Sequence, residues 1–386
     1  MSDAEGRAWA TVDLAAIAHN VAELKRIAEP ALLCAVVKAD GYGHGAIEVS
    51  SAALDAGADA LGVAMTSEGM ALREAGIGAP ILVLSEAPAE ALSALVDDRL
   101  EPTVYSEAGV AALASTVRTG GWSTPVPVHL KVDTGMHRVG VAPGGAVALA
   151  GAIEAEPGLE LASVWTHCAV ADDPGDPYTA QQLARFERVV RELDDAGLRP
   201  PLIHAANSAT AMAHPAGRLD LVRCGIAVYG IPPSPALSDV ADLRPALSLS
   251  ARVSFVKTVA AGERLSYGLT YRCSRESVIA TVPIGYADGV RRRLSAVGGE
   301  VLIGGRRRPI AGTVTMDQIL VDCGDDTSVH PGDEVVLIGG QADERITAED
   351  WASLLDTIGY EIVCSIGPRV PRRYTNGQLT GLREKR

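Results

Sequence analysis

The sequence predicts a (β/α)8 TIM-like barrel followed by a mainly β C-terminal domain. Three observations carry that expectation. Up to about residue 230, eight short apolar runs alternate with longer Ala-, Leu-, Glu- and Arg-rich stretches, the rhythm of strand–helix units in a barrel. The segment Ile231-Pro-Pro-Ser-Pro235 then breaks any element and reads as a linker. Beyond it the chain turns to short alternating or apolar runs separated by Gly-Glu, Gly-Gly and Pro-Gly-Asp turns, the mark of β structure. An open doubly wound sheet is the rival, but its first-turn glycine fingerprint is missing.

Taken in order, Trp9-Ala-Thr-Val-Asp-Leu14 reads as a strand ahead of the barrel, and residues 1–10 as a segment packing with the C-terminal domain. Residues 11–240 then form the barrel and 241–386 the β-rich domain. The expected barrel strands are Leu32–Lys38, Ala60–Met65, Pro80–Ser85, Pro102–Ser106, Val126–Val132, Leu161–His167, Leu202–Ala206 and Leu219–Gly225. Helical patterns lie between them, as in Ala46–Ala56, Ser67–Ala75 and Ala180–Ala196. In the last third, strands are expected at Ala251–Val259, Val278–Ile284, Glu300–Ile303, Gln318–Val321 and Glu334–Ile338, with one late helix at Ala348–Leu355.

Composition narrows the function. The 386 residues are 47% hydrophobic and 21% charged, an ordinary globular mixture. A net charge of -14 disfavours nucleic acid, whose phosphates require a basic face. No apolar run approaches the ~20 residues of a membrane span, and residues 1–7 lack a secretory signal pattern. Six cysteines, none in a C-x-x-C pair, sit among apolar residues and read as small buried hydrophobes of a reducing cytoplasm. Lysine occurs only at 25, 38, 131, 257 and 385 against 29 arginines, so a lysine in an apolar setting is not a casual choice of cation.

Lys38 is such a lysine. In Ala35-Val-Val-Lys-Ala-Asp-Gly-Tyr-Gly-His-Gly45 it ends the first barrel strand, where barrels carry their active sites. Apolar surroundings lower its pKa toward the reactive amine, which suits a Schiff base with a carbonyl group. The plain alternative is an ion pair with Asp40, and the glycines on their own are weak evidence for a dinucleotide loop. The ends of the seventh and eighth strands offer Asn207-Ser208 and Arg223-Cys-Gly-Ile226, where barrels commonly bind phosphate, although Asn207 also suits a simple helix cap. The fifth strand leads through Lys131 and Asp133 to Arg138, fit to fork onto a carboxylate or to pair with Asp133. His129, His137, His167 and His204 lack close ligand spacing, so no metal is expected.

In combination and in order, these segments resemble the alanine racemase family, together with Tyr229-Gly230, Ser266-Tyr-Gly268, Gly285-Tyr-Ala-Asp-Gly289, Met316-Asp-Gln318 and Gly367-Pro-Arg-Val-Pro-Arg372. The resemblance spans nearly the whole chain. It implies a pyridoxal 5'-phosphate enzyme that interconverts L- and D-alanine in the cytoplasm, supplying D-alanine for peptidoglycan. Lys38 is then similar to the lysine holding the cofactor. Tyr42, Ser208, Gly225, Ile226 and Tyr360 resemble the phosphate shell, with Asn207 beside it. Arg223 resembles the residue facing the pyridine nitrogen and His167 the imidazole bonded to that arginine. Arg138 resembles the residue near the substrate carboxylate, and Lys131 a lysine often carbamylated in the family. Tyr267 resembles the second base, reaching in from the other subunit of a homodimer with shared active sites, with Met316, Tyr286 and Asp317 bordering the substrate from that same partner.

The resemblance has departures. Thr313 and Thr315 stand where relatives often carry Arg and Cys or Ser, and Cys224 where proline is common; the two threonines are expected at the entrance or dimer contact, clear of both bases. Rival readings are a same-fold racemase of another small amino acid such as serine, a non-enzymatic pyridoxal-phosphate carrier, a two-domain decarboxylase, and a phosphosugar barrel enzyme using Lys38 without cofactor. The β domain with Tyr267 argues against the carrier. The plain alternative for Tyr267 is a core aromatic with a satisfied hydroxyl.

Overall fold

A computed structural model describes residues 4–122 and 124–377. The first three residues of the expected N-terminal segment and the last nine of the expected C-terminal domain lie outside the described residues. The described chain divides into two compact units: residues 16–41 with 46–244, and the residues up to 15 with 42–45 and 245–377.

In the first unit, eight parallel strands form a nearly closed barrel. They are β2 (Leu32–Val36), β3 (Ala60–Val63), β4 (Ile81–Val83), β5 (Glu101–Val104), β6 (Val126–Lys131), β7 (Leu159–Trp165), β8 (Leu202–His204) and β9 (Leu221–Cys224). Their order is β8-β7-β6-β5-β4-β3-β2-β9. Strands in this setting are covered on both faces, which is why they read as apolar runs rather than alternations. Leu33, Leu61, Ile81, Val128, Leu130 and Val164 are accordingly fully buried. The helices present one apolar stripe each. In Tyr178–Asp195 the buried positions Gln182, Phe186, Val189 and Leu193 follow the helical repeat.

In the second unit, β1 (Ala8–Asp13) pairs antiparallel with β10 (Leu247–Arg252) and parallel with Arg372–Thr375. The expected single strand Ala251–Val259 is in fact two. β10 belongs to the seven-stranded sheet, whereas β11 (Phe255–Val259) lies in a three-stranded sheet with Ser277–Val282 and Ile319–Asp322. The switch falls at residues 253–254, where Val253 N–H donates to Asp333 and Ser254 N–H to Thr281. The expected helix Ala348–Leu355 is present, opened by a reciprocal cap between Thr347 and Asp350. A second helix, Gly359–Cys364, was not expected; six residues are too few for a helical repeat to show. Five of the six cysteines are buried as expected, but Cys364, on that helix, is exposed. No described helix is long and apolar enough to cross a membrane.

Candidate active site

The backbone after β2 does something the sequence did not announce. Lys38 lies two residues beyond the end of β2, and the next residues take a left-handed turn: φ is 53° at Ala39, 53° at Asp40, 60° at Gly41 and 51° at Tyr42. Such angles cost a non-glycine residue about 1–3 kcal/mol each and persist only where surrounding bonds impose them. Ala39 N–H donates to Glu68 at 2.7 Å, and Gly41 N–H to the Val37 carbonyl at 2.8 Å. The Asp40 carboxylate, weighed above as a partner for Lys38, accepts the Ala46 N–H at 2.9 Å and starts the following helix. Within the second unit, Gly43 and Gly45 also have positive φ, and an added Cβ would strike the Val363 carbonyl and the Tyr374 hydroxyl respectively. The alternating glycines are positions of close approach, so their spacing needs no dinucleotide.

At the C-terminal ends of the barrel strands, cations gather around one indole. Lys131 Nζ stands 4.2 Å from the centre of the Trp165 ring and the Arg223 guanidinium 4.5 Å, while His204 stacks on the same ring system at 5.7 Å. Burial pushes the Lys131 amine down to about 7, with Arg223, Arg138 and Lys38 adding like-charge repulsion and Asp133 opposing it. Arg223 is fully buried, and desolvation pulls it to about 10. It donates to His204 Nδ1 at 2.8 Å and to the carbonyls of Thr166 at 2.8 Å and Ala205 at 3.0 Å, with His167 Nδ1 farther off at 3.4 Å. The imidazole that holds Arg223 most closely is therefore His204. Burial first, then Arg223, hold both His167 and His204 well below the usual imidazole range. Arg138 is exposed, and Asp133 pairs with His137 at 3.5 Å rather than with Arg138.

Near these groups, Asn207 caps the helix Ser208–Ala213 by accepting Thr210 N–H, and its amide donates to the Cys168 carbonyl at 3.2 Å. Ser208 Oγ accepts the Gly225 N–H at 2.8 Å, joining the two loops expected to bind phosphate. Gly225 and Ile226 are both buried.

The remaining candidates belong to the second unit. Tyr42 is buried, and its ring meets that of Tyr360 at 6.2 Å. Burial raises the Tyr42 phenol, with Tyr360 and Cys364 adding to it. Tyr267 is no core aromatic: 74% of it is exposed. Thr313, expected to stand clear of both bases, donates its hydroxyl to the Tyr267 carbonyl at 2.8 Å, while Ser266 Oγ donates to the Thr313 carbonyl at 2.7 Å. Tyr286 N–H donates to Thr315 and Ala287 N–H to Met316, which brings Tyr267, Tyr286 and Met316 into one backbone-linked cluster. Asp317 is tied to Arg369 at 2.7 Å.

Comparison with known proteins accounts for both units. Residues 12–233 match the family "Alanine racemase, N-terminal domain" and residues 246–374 "Alanine racemase, C-terminal domain". The chain belongs to the alanine racemase family. It is 50% identical over 367 residues to an alanine racemase of Symbiobacterium thermophilum, covering 95% of this chain and 96% of that protein. The solved alanine racemase of Streptomyces coelicolor A3(2) superposes with a TM-score of 0.92 at 42% identity, covering 98% of this chain and 100% of that one. That of Bacillus anthracis, described with bound L-Ala-P, gives 0.89 at 39% identity, covering 96% and 95%. Three residues of the site carry no local mark of their role in the sequence: Trp165, His204 and Thr313. The first two were visible as bulky residues in strand motifs, but only their meeting with Arg223 gives them a task. The hydroxyl of Thr313 had no visible partner because Tyr267 is 46 residues away.

Proposed function

We propose that the chain interconverts L- and D-alanine by two bases, with pyridoxal 5'-phosphate held at Lys38 and Tyr267 supplied by the partner subunit of a homodimer. The observation that carries this is the charge of the barrel mouth: Lys38, Arg138 and Arg223 all act on Lys131 there, which stands over the same Trp165 ring as Arg223, with Asp133 the opposing carboxylate. A cluster so unbalanced fits an anionic group with a carboxylate substrate. When bound, pyridoxal 5'-phosphate supplies a conjugated ring that takes up the electron pair left by the departing α-proton.

The chain's own residues do the rest. Lys38 Nζ holds the cofactor and then carries the proton on the D-face. Tyr267 Oη carries it on the L-face; an ordinary phenol near pKa ~10 is a weak base and needs the positive charge gathered here. Two bases on opposite faces return the proton without one group crossing the plane, each contributing on the order of 10²–10⁴-fold. Arg138 orients the substrate carboxylate. Ser208, Gly225, Ile226, Tyr42 and Tyr360 receive the phosphate, beside Asn207. His167 supports Arg223, which faces the ring nitrogen with a charge and disfavours its protonation. Tyr286, Met316 and Asp317 border the substrate from the partner and limit side-chain size; small steric differences give only about 1–3 kcal/mol, so serine is a poorer rather than an excluded substrate. Lys131, with its amine near 7, is suited to take up CO2 with loss of a proton, placing a negative carbamate among the cations. D-alanine made this way serves peptidoglycan.

The test is formation of D-alanine from L-alanine, read by circular dichroism, with Lys38→Ala as control. Turnover that survives in the control, or its absence in the cofactor-loaded unsubstituted protein, overturns the reading.

A further inference from the structure

A line of side chains joins Arg223 to the opposite end of the barrel. Arg223 Nη1 lies 2.8 Å from His204 Nδ1, and His204 Nε2 lies 2.9 Å from Ser163 Oγ. Ser163 Oγ lies 2.6 Å from His129 Nδ1, and His129 Nε2 lies 3.0 Å from Glu101 Oε2. Strand register explains the path: His129 of β6 sits level with Ser163 of β7, and Trp165 of β7 level with His204 of β8. Glu101 is the first residue of β5, so the line climbs from the N-terminal rim of the barrel to the mouth. Ser163 and His204 are fully buried and His129 nearly so.

The direction of every proton follows from the two ends. A guanidinium has only donors, so His204 Nδ1 accepts and its proton sits on Nε2. That proton goes to Ser163 Oγ, whose own hydrogen then goes to His129 Nδ1. His129 keeps its proton on Nε2 and gives it to Glu101, which as a carboxylate only accepts. Reversing the order sets two N–H groups face to face or strands the buried Ser163 hydrogen, at the cost of an unpaired polar group. Among the described residues, the hydrogen-bond partners of Arg223 are neutral nitrogens and carbonyls, so its charge has no carboxylate at hand. The line ends on one. Arg73, beside Glu101 in the same surface depression, is committed to the carbonyls of Ile77, Ala79, Asp98 and Arg99.

We infer that Glu101, His129, Ser163 and His204 form a one-way hydrogen-bond relay that orients Arg223 and provides its buried charge with a counter-ion at the far rim of the barrel. The four are positioning residues, acting through Arg223 alone. The inference rests on the racemase reading only for the task given to Arg223; the relay itself is a statement about protons in this chain.

The test begins with ring-nitrogen NMR of the unsubstituted, full-length protein labelled with ¹⁵N-histidine. Both His204 and His129 are expected neutral and protonated on Nε2 at pH 7. Ser163→Ala removes one oxygen and adds no bulk: His204 keeps its tautomer because Arg223 dictates it and His129 keeps its own because Glu101 does, while the His129 Nδ1 and His204 Nε2 resonances lose the shifts their bonds to Ser163 impose. Glu101→Gln keeps an acceptor oxygen without the charge. In both variants kcat for racemisation is expected to fall about 3- to 30-fold, the range for residues acting through a network, with KM for alanine unchanged. An imidazolium or an Nδ1-protonated ring at either histidine of the unsubstituted protein overturns the relay, as does unchanged kcat in both folded variants. A chain with no racemase activity but the expected tautomers would sink the functional reading and leave the relay standing.

Discussion

Arg223 holds a full positive charge inside the barrel with acceptors that carry none. Were pyridoxal 5'-phosphate held as proposed, the Arg223 charge would disfavour a protonated ring nitrogen and so favour racemisation over transamination. Arg223→Glu is therefore expected to lower racemisation by on the order of 10²-fold or more, the usual cost of losing a preorganised electrostatic group, and to raise pyruvate formation from alanine; unchanged pyruvate release would count against the role. Lys131 gives a pH prediction. Its amine, pushed down to about 7 by burial and its cationic neighbours, titrates lower in the folded chain than the ordinary lysine value of 10.5. Between those values the unfolded chain binds more protons, so stability of the cofactor-free protein rises with pH from about 7 to 10.5, and below 7 the full penalty is present. Lys131→Met should flatten that part of a denaturant-unfolding series; a slope that stays unchanged would show that another group causes it.

Two turns bring the chemistry to bear at the level of elements. The left-handed turn at residues 39–42 takes the chain sharply away from β2 just after Lys38, and the Ala39 and Gly41 N–H bonds impose it. The 266–269 turn presents Tyr267 on the β unit, clasped by Ser266 and Thr313. Thr313→Val keeps the shape and deletes the hydroxyl, so thermal denaturation should show a loss of about 1 kcal/mol and turnover should show a reduced kcat. Wild-type kcat in that variant would mean the backbone alone holds the tyrosine. Both turns explain why local reading stopped short. A run such as Leu32–Lys38 shows that a strand approaches, and Val37 N–H still bonds to Gly62 of β3, but the turn that follows is held at Ala39 by Glu68, 29 residues along the chain.

Across the whole molecule, the exposure of Tyr267 (74%), Met316 (52%), Leu269 (51%) and Tyr286 (43%) makes an apolar patch of the kind that marks a contact with another protein. If that contact is a second copy completing the active site, mixing dissociated Lys38→Ala and Tyr267→Phe proteins should restore about one quarter of wild-type activity, since half of a random mixture is hybrid and each hybrid has one intact site. No recovery in verified hybrids would place both bases in one chain. The sequence by itself determined the barrel, the β domain after the proline linker, and the ordered motifs that mark the family. Apolar periodicity, turn chemistry and residue type are local properties, readable one segment at a time. Only the tertiary structure decided that β10 and β11 belong to different sheets, that His204 rather than His167 holds Arg223 most closely, and that Trp165 takes two cations on its ring. Those facts depend on strand register and on bonds between residues tens to hundreds of positions apart, where the chain carries no local sign of its partner.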